Sequence, residues 1–221
     1  MRRLYIVVEG QTEQSFVNEV LAPYLYSKGV ISVVPIIIQT SRIGRGGFVN
    51  YIHLKNKIRG LLSNRNASDI IVTTFVDFFR MPTSMPNYVA CMQGPFDSAR
   101  VECLEKAMEA DINDRRFVPY IQLHEFEALL FSNNLGFEYL WGSEVCVKTM
   151  EIISNFSNPE DINSSPETAP SKRLLAIKPD YDKVVEGTLI AIHVGINEII
   201  SKCPRFASWL NSIIQACLDM C

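Results

Sequence analysis

Apolar residues over the first 130 or so positions fall into short unbroken runs, separated by stretches with helical spacing. Tyr5-Ile6-Val7-Val8 is a run of β-favouring residues that predicts a buried strand. It stops at Glu9, and Gly10 is expected to turn the chain through backbone angles that other residues avoid. A helix follows at once, with Thr12 as its cap and Phe16, Val17, Val20, Leu21 and Tyr24 in phase on one face. Ile31 to Gln39 is a second apolar run, and Pro35 within it predicts an edge strand or a bulge. Phe48 to Leu62 reads as a helix, Asp69 to Asp77 as a third strand, about Asp97 to Ala110 as a helix, and Phe117 to Leu123 as a fourth strand. That last run leads through His124-Glu125-Phe126-Glu127 into the apolar helical turn Ala128 to Phe131. Strands that alternate with helices predict a parallel α/β sheet covered on both faces. Beyond Ser132 the alternation ends. Val145 to Phe156, Thr188 to Ser201 and Ala207 to Met220 read as helices, and a polar loop from Asn158 to Pro170 precedes a helix start at Ser171-Lys172-Arg173. The expected organisation is an α/β domain over 1–132 and a helical C-terminal extension over 133–221, packed as one structural unit.

The ends of the strands change the picture from fold to chemistry. Glu9, Asp77, and Glu125 with Glu127 all follow apolar runs. Parallel strands share a direction, so their carboxyl ends share one edge of the sheet, where open α/β sheets place their sites. Acids meeting there repel one another unless a cation holds them. Carboxylate oxygens suit Mg²⁺ or Mn²⁺, and such ions activate water and stabilise the leaving oxygen of a phosphodiester. Glu125 is the preferred third ligand, with Glu127 behind it. Glu13 reads as a first-turn acid favoured by the helix dipole or as a supporting group. His124 is a ligand, a base or the partner of a nearby carboxylate, the last reading being favoured on the sequence. Thr40-Ser41-Arg42-Ile43-Gly44-Arg45-Gly46-Gly47 combines glycine backbone with two guanidinium groups and suits a phosphate, as an ordinary loop would equally well explain it. Lys172 and Arg173, at a helix start, read as ordinary helix charge or as further phosphate contacts.

Composition narrows the partners. The chain has 221 residues, 48% of them apolar, enough for one good core rather than a disordered polymer. Its net charge of −3 argues against a dedicated high-affinity nucleic-acid binder and for local phosphate binding or affinity borrowed from a partner. Six cysteines show no paired CxxC spacing, and with no secretory signal in view they are expected to be reduced thiols in a cytoplasmic protein. No apolar run reaches the length of a membrane span.

The blocks Val8-Glu9-Gly10-Gln11-Thr12-Glu13, Asp77-Phe78-Phe79-Arg80-Met81-Pro82 and Gln122-Leu123-His124-Glu125-Phe126-Glu127-Ala128-Leu129-Leu130-Phe131-Ser132 resemble a bacterial Toprim-like family labelled a domain of unknown function. Pro166 to Arg173 and Cys203 to Trp209 extend the resemblance over most of the chain. Toprim domains occur in topoisomerases, bacterial primases and nucleases of the overcoming-lysogenisation-defect type. The resemblance implies a Toprim-like (Rossmann-like) four-stranded parallel sheet, Glu9 as the Toprim glutamate, and Asp77 as the first acid of an Asp-x-Asp motif. Phe79 stands where the second acid would be, which weakens a topoisomerase or primase reading and leaves Glu125 or Glu127 to complete the site. It further implies a Mg²⁺- or Mn²⁺-dependent phosphodiesterase, a nuclease acting on DNA or RNA, with an ATPase partner in anti-phage defence and scope for homo-oligomers. A nucleotide-binding or nucleotidyl-transferring enzyme and a non-catalytic interaction module are the rival readings.

Overall fold

The computed structural model describes residues 2–38, 50–63, 69–163, 165 and 167–219. The strands are β1 (Arg3–Val8), β2 (Ser32–Ile37), β3 (Ile70–Asp77), β4 (Phe117–Val118) and β5 (Ile121–Gln122). Their order is β2-β1-β3-β4, with β5 pairing β3 beyond β4, and every pairing is parallel. This is the parallel α/β sheet the sequence predicts. β3 lies at its centre, and all eight of its residues are buried, as its unbroken apolar run requires. β2 is an edge strand, which is where Pro35, lacking an N–H, is tolerated.

The expected fourth strand is broken in two. Pro119 cannot donate to the ladder, and Thr74 of β3 stands in for it. The Thr74 hydroxyl accepts the Tyr120 N–H at 2.9 Å and donates to the Tyr120 carbonyl at 2.7 Å.

The first helix has three segments, α1 (Gln11–Phe16), a π-helical stretch Val17–Leu21, and α2 (Ala22–Ser27). Its cap is Gly10, not the expected Thr12, which lies buried inside the helix. Gly10 is extended (φ −151°, ψ −167°), so it is not needed for an unusual backbone angle. What it supplies is room. A Cβ there would stand 3.3 Å from Glu13 Oε2, and that oxygen accepts the Gly10 N–H at 2.9 Å.

α3 (Tyr51–Leu62) begins later than predicted because Asn50 caps it, its side chain accepting the Ile52 N–H at 2.9 Å. α4 (Tyr88–Cys91) lies in the loop before α5 (Asp97–Ile112). Cys91 and Cys103 form a disulfide across α4 and α5, so the expectation that the cysteines are all reduced is corrected. The pairing is invisible in sequence because it depends on α4 folding back on α5. Cys146, Cys203 and Cys217 are buried thiols.

A 3-10 helix follows at Phe126–Ser132, then α6 (Leu135–Trp141), α7 (Ser143–Asn155), a 3-10 turn at Pro159–Asp161, α8 (Pro170–Ile177), α9 (Val185–Val194), α10 (Ile196–Lys202) and α11 (Pro204–Leu218). The single helix expected over Thr188 to Ser201 is divided at Gly195, whose φ of 82° a helix cannot hold.

Two apolar layers sandwich the sheet. α3 and α5 cover one face through Leu54, Ile58, Val101, Leu104 and Met108. The first helix, the 3-10 helix and the C-terminal helices cover the other, where Phe16, Phe75, Tyr120, Phe126, Phe206 and Trp209 stack and cross within 4.4–6.5 Å of one another. Truncating one of these buried rings would cost about 3–5 kcal/mol. The Trp209 Nε1–H donates to Thr73 on β3 at 2.8 Å, which fixes α11 to the central strand. Among the described residues no helix is long and apolar enough to cross a membrane.

Candidate active site

Because β1, β3 and β5 are neighbours and run the same way, their carboxyl ends deliver Glu9, Asp77 and the Glu125–Glu127 turn to one edge. Glu9, Asp77, Glu125 and Glu127 line a single cleft of about 600 Å³, together with Phe79, Arg80, Pro82, Ser171, Lys172 and Lys183.

The local backbone explains the aim of each acid. Phe78 and Phe79 continue β3's pairing outward by donating to the carbonyls of Gln122 and His124 at 2.9 and 2.8 Å. His124 then takes a left-handed turn (φ 67°), and Glu125 is extended. The Asp77 Oδ1 accepts the Phe126 N–H at 2.9 Å, so β3's end holds the start of the 3-10 helix. Glu125 has both oxygens occupied by the first turn of α8: Oε2 accepts the Ser171 N–H and Oε1 the Ser171 hydroxyl, each at 2.9 Å. Glu127 is fully buried, and neither of its oxygens has a hydrogen-bond partner. Both Glu125 oxygens are thus committed to Ser171, whereas those of Glu127 accept from no N–H or O–H donor.

A residue that the sequence reading passed over completes the arrangement. Lys183, in the loop between α8 and α9, places its Nζ 3.4 Å from Glu13 Oε1, 3.4 Å from Glu127 Oε2 and 3.7 Å from Asp77 Oδ2. One ammonium thus faces three carboxylates. Burial pushes the Asp77 carboxyl well above the usual range against the opposing pull of Lys183, with Glu13, Glu9 and Glu127 adding to the rise. Burial likewise raises Glu127 to about 7, again opposed by Lys183. Burial alone would lower Lys183, but Asp77, Glu127 and Glu13 outweigh it and hold the ammonium charged. The acids of the cleft raise one another's pKa by mutual repulsion, a repulsion that a bound cation would relieve.

The donor set fits a hard divalent ion in kind: carboxylate oxygens from separate strand ends, two of them buried without donors. Among the described residues no group of three or more His, Cys, Asp or Glu is arranged so that it could hold a metal ion. The carboxylates are gathered around Lys183 instead.

The remaining expected residues separate. Lys172 lines the cleft, while Arg173 donates to the Thr168 carbonyl at 2.8 Å and lies over the Phe156 ring. His124 faces Asp97, Nδ1 to Oδ2 3.9 Å, the carboxylate partnership favoured on the sequence, and burial lowers its pKa. Arg42 and Arg45 lie outside the described residues. Arg80, which the sequence reading did not single out, lines the cleft. Its position three residues past a strand-end acid, next to the Phe79 that stands in for the second carboxylate, was the available signal.

The model of a family described as a domain of unknown function (DUF4276) matches residues 8–214 of the chain. No curated protein matches it. Among solved structures it is similar to the C-terminal region of the Burkholderia pseudomallei OLD protein, at 14% identity and a TM-score of 0.47, over 97% of this chain and 99% of that one. It is also similar to the C-terminal region of the Xanthomonas campestris pv. campestris OLD protein, at 15% identity and a TM-score of 0.46, over 97% of this chain and 91% of that one. Likenesses of this size leave the activity to be argued from this chain's own residues.

Proposed function

The chain belongs to the DUF4276 family, described as a domain of unknown function, and we propose from its own side chains that the cleft is the active site of a divalent-cation-dependent phosphodiesterase, a nuclease. The observation that carries this reading is the meeting of Glu13, Asp77 and Glu127, from three separate stretches of chain, within 3.4–3.7 Å of one nitrogen atom. Asp77 and Glu127, with Glu9 on the same wall, would hold Mg²⁺ or Mn²⁺. When bound, the ion supplies Lewis-acid activation of water and neutralises charge on the phosphoryl oxygens.

The chain's own groups do the rest. Lys183, held protonated by its acidic neighbours, would offer Nζ–H donors to a phosphoryl oxygen. Lys172, at the first turn of α8, adds a second cation and the partial positive charge of a helix N-terminus. Glu125 keeps α8 in place through Ser171 and thereby keeps Lys172 at the rim. Glu13, tied to the Gly10 N–H, positions β1's end. With a net charge of −3 the chain has little general attraction for nucleic acid, which suits a module whose affinity is supplemented by a partner, an ATPase on the resemblance stated above.

The test is incubation of purified protein with end-labelled DNA, RNA and free nucleotides, with and without Mg²⁺ or Mn²⁺, beside Asp77→Asn. Cleavage that needs the cation and is lost in the variant is expected. Turnover of free nucleotides alone would move the assignment to a small phosphate substrate. Absence of both cleavage and calorimetric Mn²⁺ binding would overturn it.

A further inference from the structure

A second cavity, of about 340 Å³, adjoins the cleft and shares two of its walls, Phe79 and Arg80. Phe78, Asp97, His124 and Asn163 complete it. Its size is at the small end for a ligand pocket, suited to one planar ring system.

The walls are built with some care. Among the described residues, the non-glycine positions with positive φ are Arg80, Asn87, Asn113 and His124. Arg80 (58°) and His124 (67°) both face this cavity, and the Phe79 N–H donates to the His124 carbonyl at 2.8 Å, joining the two left-handed turns. Backbone of this kind is held by its surroundings and concentrates at ligand sites. The Arg80 guanidinium lies over the Phe79 ring, 5.2 Å from its centroid, so a flat aromatic group and a flat cation sit together at the boundary between the two cavities. The polar edge is mixed. Asp97, a lining residue, has Oδ1 accepting from Arg100 at 2.8 Å and Oδ2 3.9 Å from His124 Nδ1, beyond hydrogen-bond reach. Asn163 contributes an amide, its Nδ2 3.4 Å from His124 Nδ1.

We propose that this cavity receives the base of the nucleotide whose phosphate lies in the cleft, and that guanine is the base its edge fits. The inference rests on the phosphodiesterase reading of the cleft. Phe79 and the Arg80 guanidinium supply the surface on which a base stacks. The Asp97 carboxylate accepts from the N1–H and N2–H₂ donors that guanine alone presents together, while the Asn163 amide donates to its O6. On this view Phe79, which stands in place of the second acid of an Asp-x-Asp pair, exchanges a metal ligand for a specificity wall.

Calorimetric titration of the whole protein, without divalent metal, with GMP, AMP, CMP, UMP and ribose 5-phosphate tests this. GMP is expected to bind at least about tenfold more tightly than ribose 5-phosphate, the scale of one base stack, and more tightly than the other nucleotides. Phe79→Ala is expected to remove the difference between GMP and ribose 5-phosphate without weakening ribose 5-phosphate, and Phe79→Tyr to retain it. Asp97→Asn is expected to abolish the lead of GMP over AMP while both still exceed ribose 5-phosphate. Equal affinities for GMP and ribose 5-phosphate in the wild type would overturn the base pocket, and a lead for another base would overturn guanine. If metal-dependent cleavage fails but the base preference stands, the phosphodiesterase reading falls separately from the pocket. The reverse pattern isolates the pocket as the error. Circular dichroism of each variant excludes loss of fold as the cause.

Discussion

Among the described residues, two charge clusters each set one buried cation among several acids. Around Arg205, at the start of α11, the buried acids Glu105 and Glu160 have fixed donors. Glu160 accepts the N–H groups of Arg205 and Phe206 at 2.8 and 3.1 Å, and Glu105 accepts from the Arg205 guanidinium at 2.9 Å and from the Ile121 N–H at 2.8 Å. Burial raises both carboxyls, while the guanidinium and the backbone donors pull them back. That cluster ties α5, β5 and α11 together. Around Lys183 the cation is a single ammonium shared among three carboxylates, and Glu127 receives no hydrogen bond. The contrast separates structural from functional burial of charge. Acids saturated by N–H donors hold a fold, and acids left to share one flexible lysine are arranged for something that is yet to bind.

The contrast fails most visibly if the Arg205 cluster does not matter to folding. Arg205→Ala leaves buried carboxylates uncompensated and is expected to cost about 3–5 kcal/mol in urea unfolding, with cleavage per folded molecule unchanged. In the other cluster, Asp77→Asn is expected to lower metal-dependent cleavage by about 100-fold or more while the urea midpoint holds or rises. A variant that loses both together would erase the distinction.

Titration sharpens the comparison further. Glu127 moves from 4.5 in the unfolded chain to about 7 when folded. A raised carboxyl keeps a proton that the unfolded chain has already released, so its contribution is present below about pH 4.5 and is lost as pH rises toward about 7. The shift is worth on the order of 3 kcal/mol. Asp77 acts in the same direction. The metal-free thermal midpoint is therefore expected to fall between about pH 5 and about pH 8, and Glu127→Gln to flatten that fall. Mg²⁺ is expected to raise the midpoint more at the upper end of the window. A midpoint that rises with pH in the wild type, and does so unchanged in the variant, would show that Glu127 is not held in this way. The smallest effect belongs to Ser171→Ala, which removes one of the two bonds holding Glu125 and is expected to cost about 1 kcal/mol, with a modest weakening of phosphate binding through Lys172.

Much of this was legible in the residues themselves. Unbroken apolar runs gave the strands, and acids directly after Val8 and Val76 gave the edge on which chemistry gathers, because parallel pairing leaves no other place for them. Lys183 was not legible. It sits in a loop without a motif, and its role exists only because α9 packs beside the sheet. The choice between Glu125 and Glu127 was hidden for a different reason. The left-handed turn at His124 and the bond from Ser171 decide which carboxyl is occupied, and neither follows from spacing. The Cys91–Cys103 pairing likewise depends on the path of the chain between them.

Gly10 carries a last consequence. The Cβ of an alanine there would press on Glu13 Oε2 from 3.3 Å, and the end of a glutamate side chain gives way easily. The fold would tolerate it. Yet the displaced carboxylate would lose its grip on the helix start and alter its distance to the ammonium of Lys183. An uncharged methyl group, with no chemistry of its own, would in this way retune the electrical balance that the whole edge of the sheet shares.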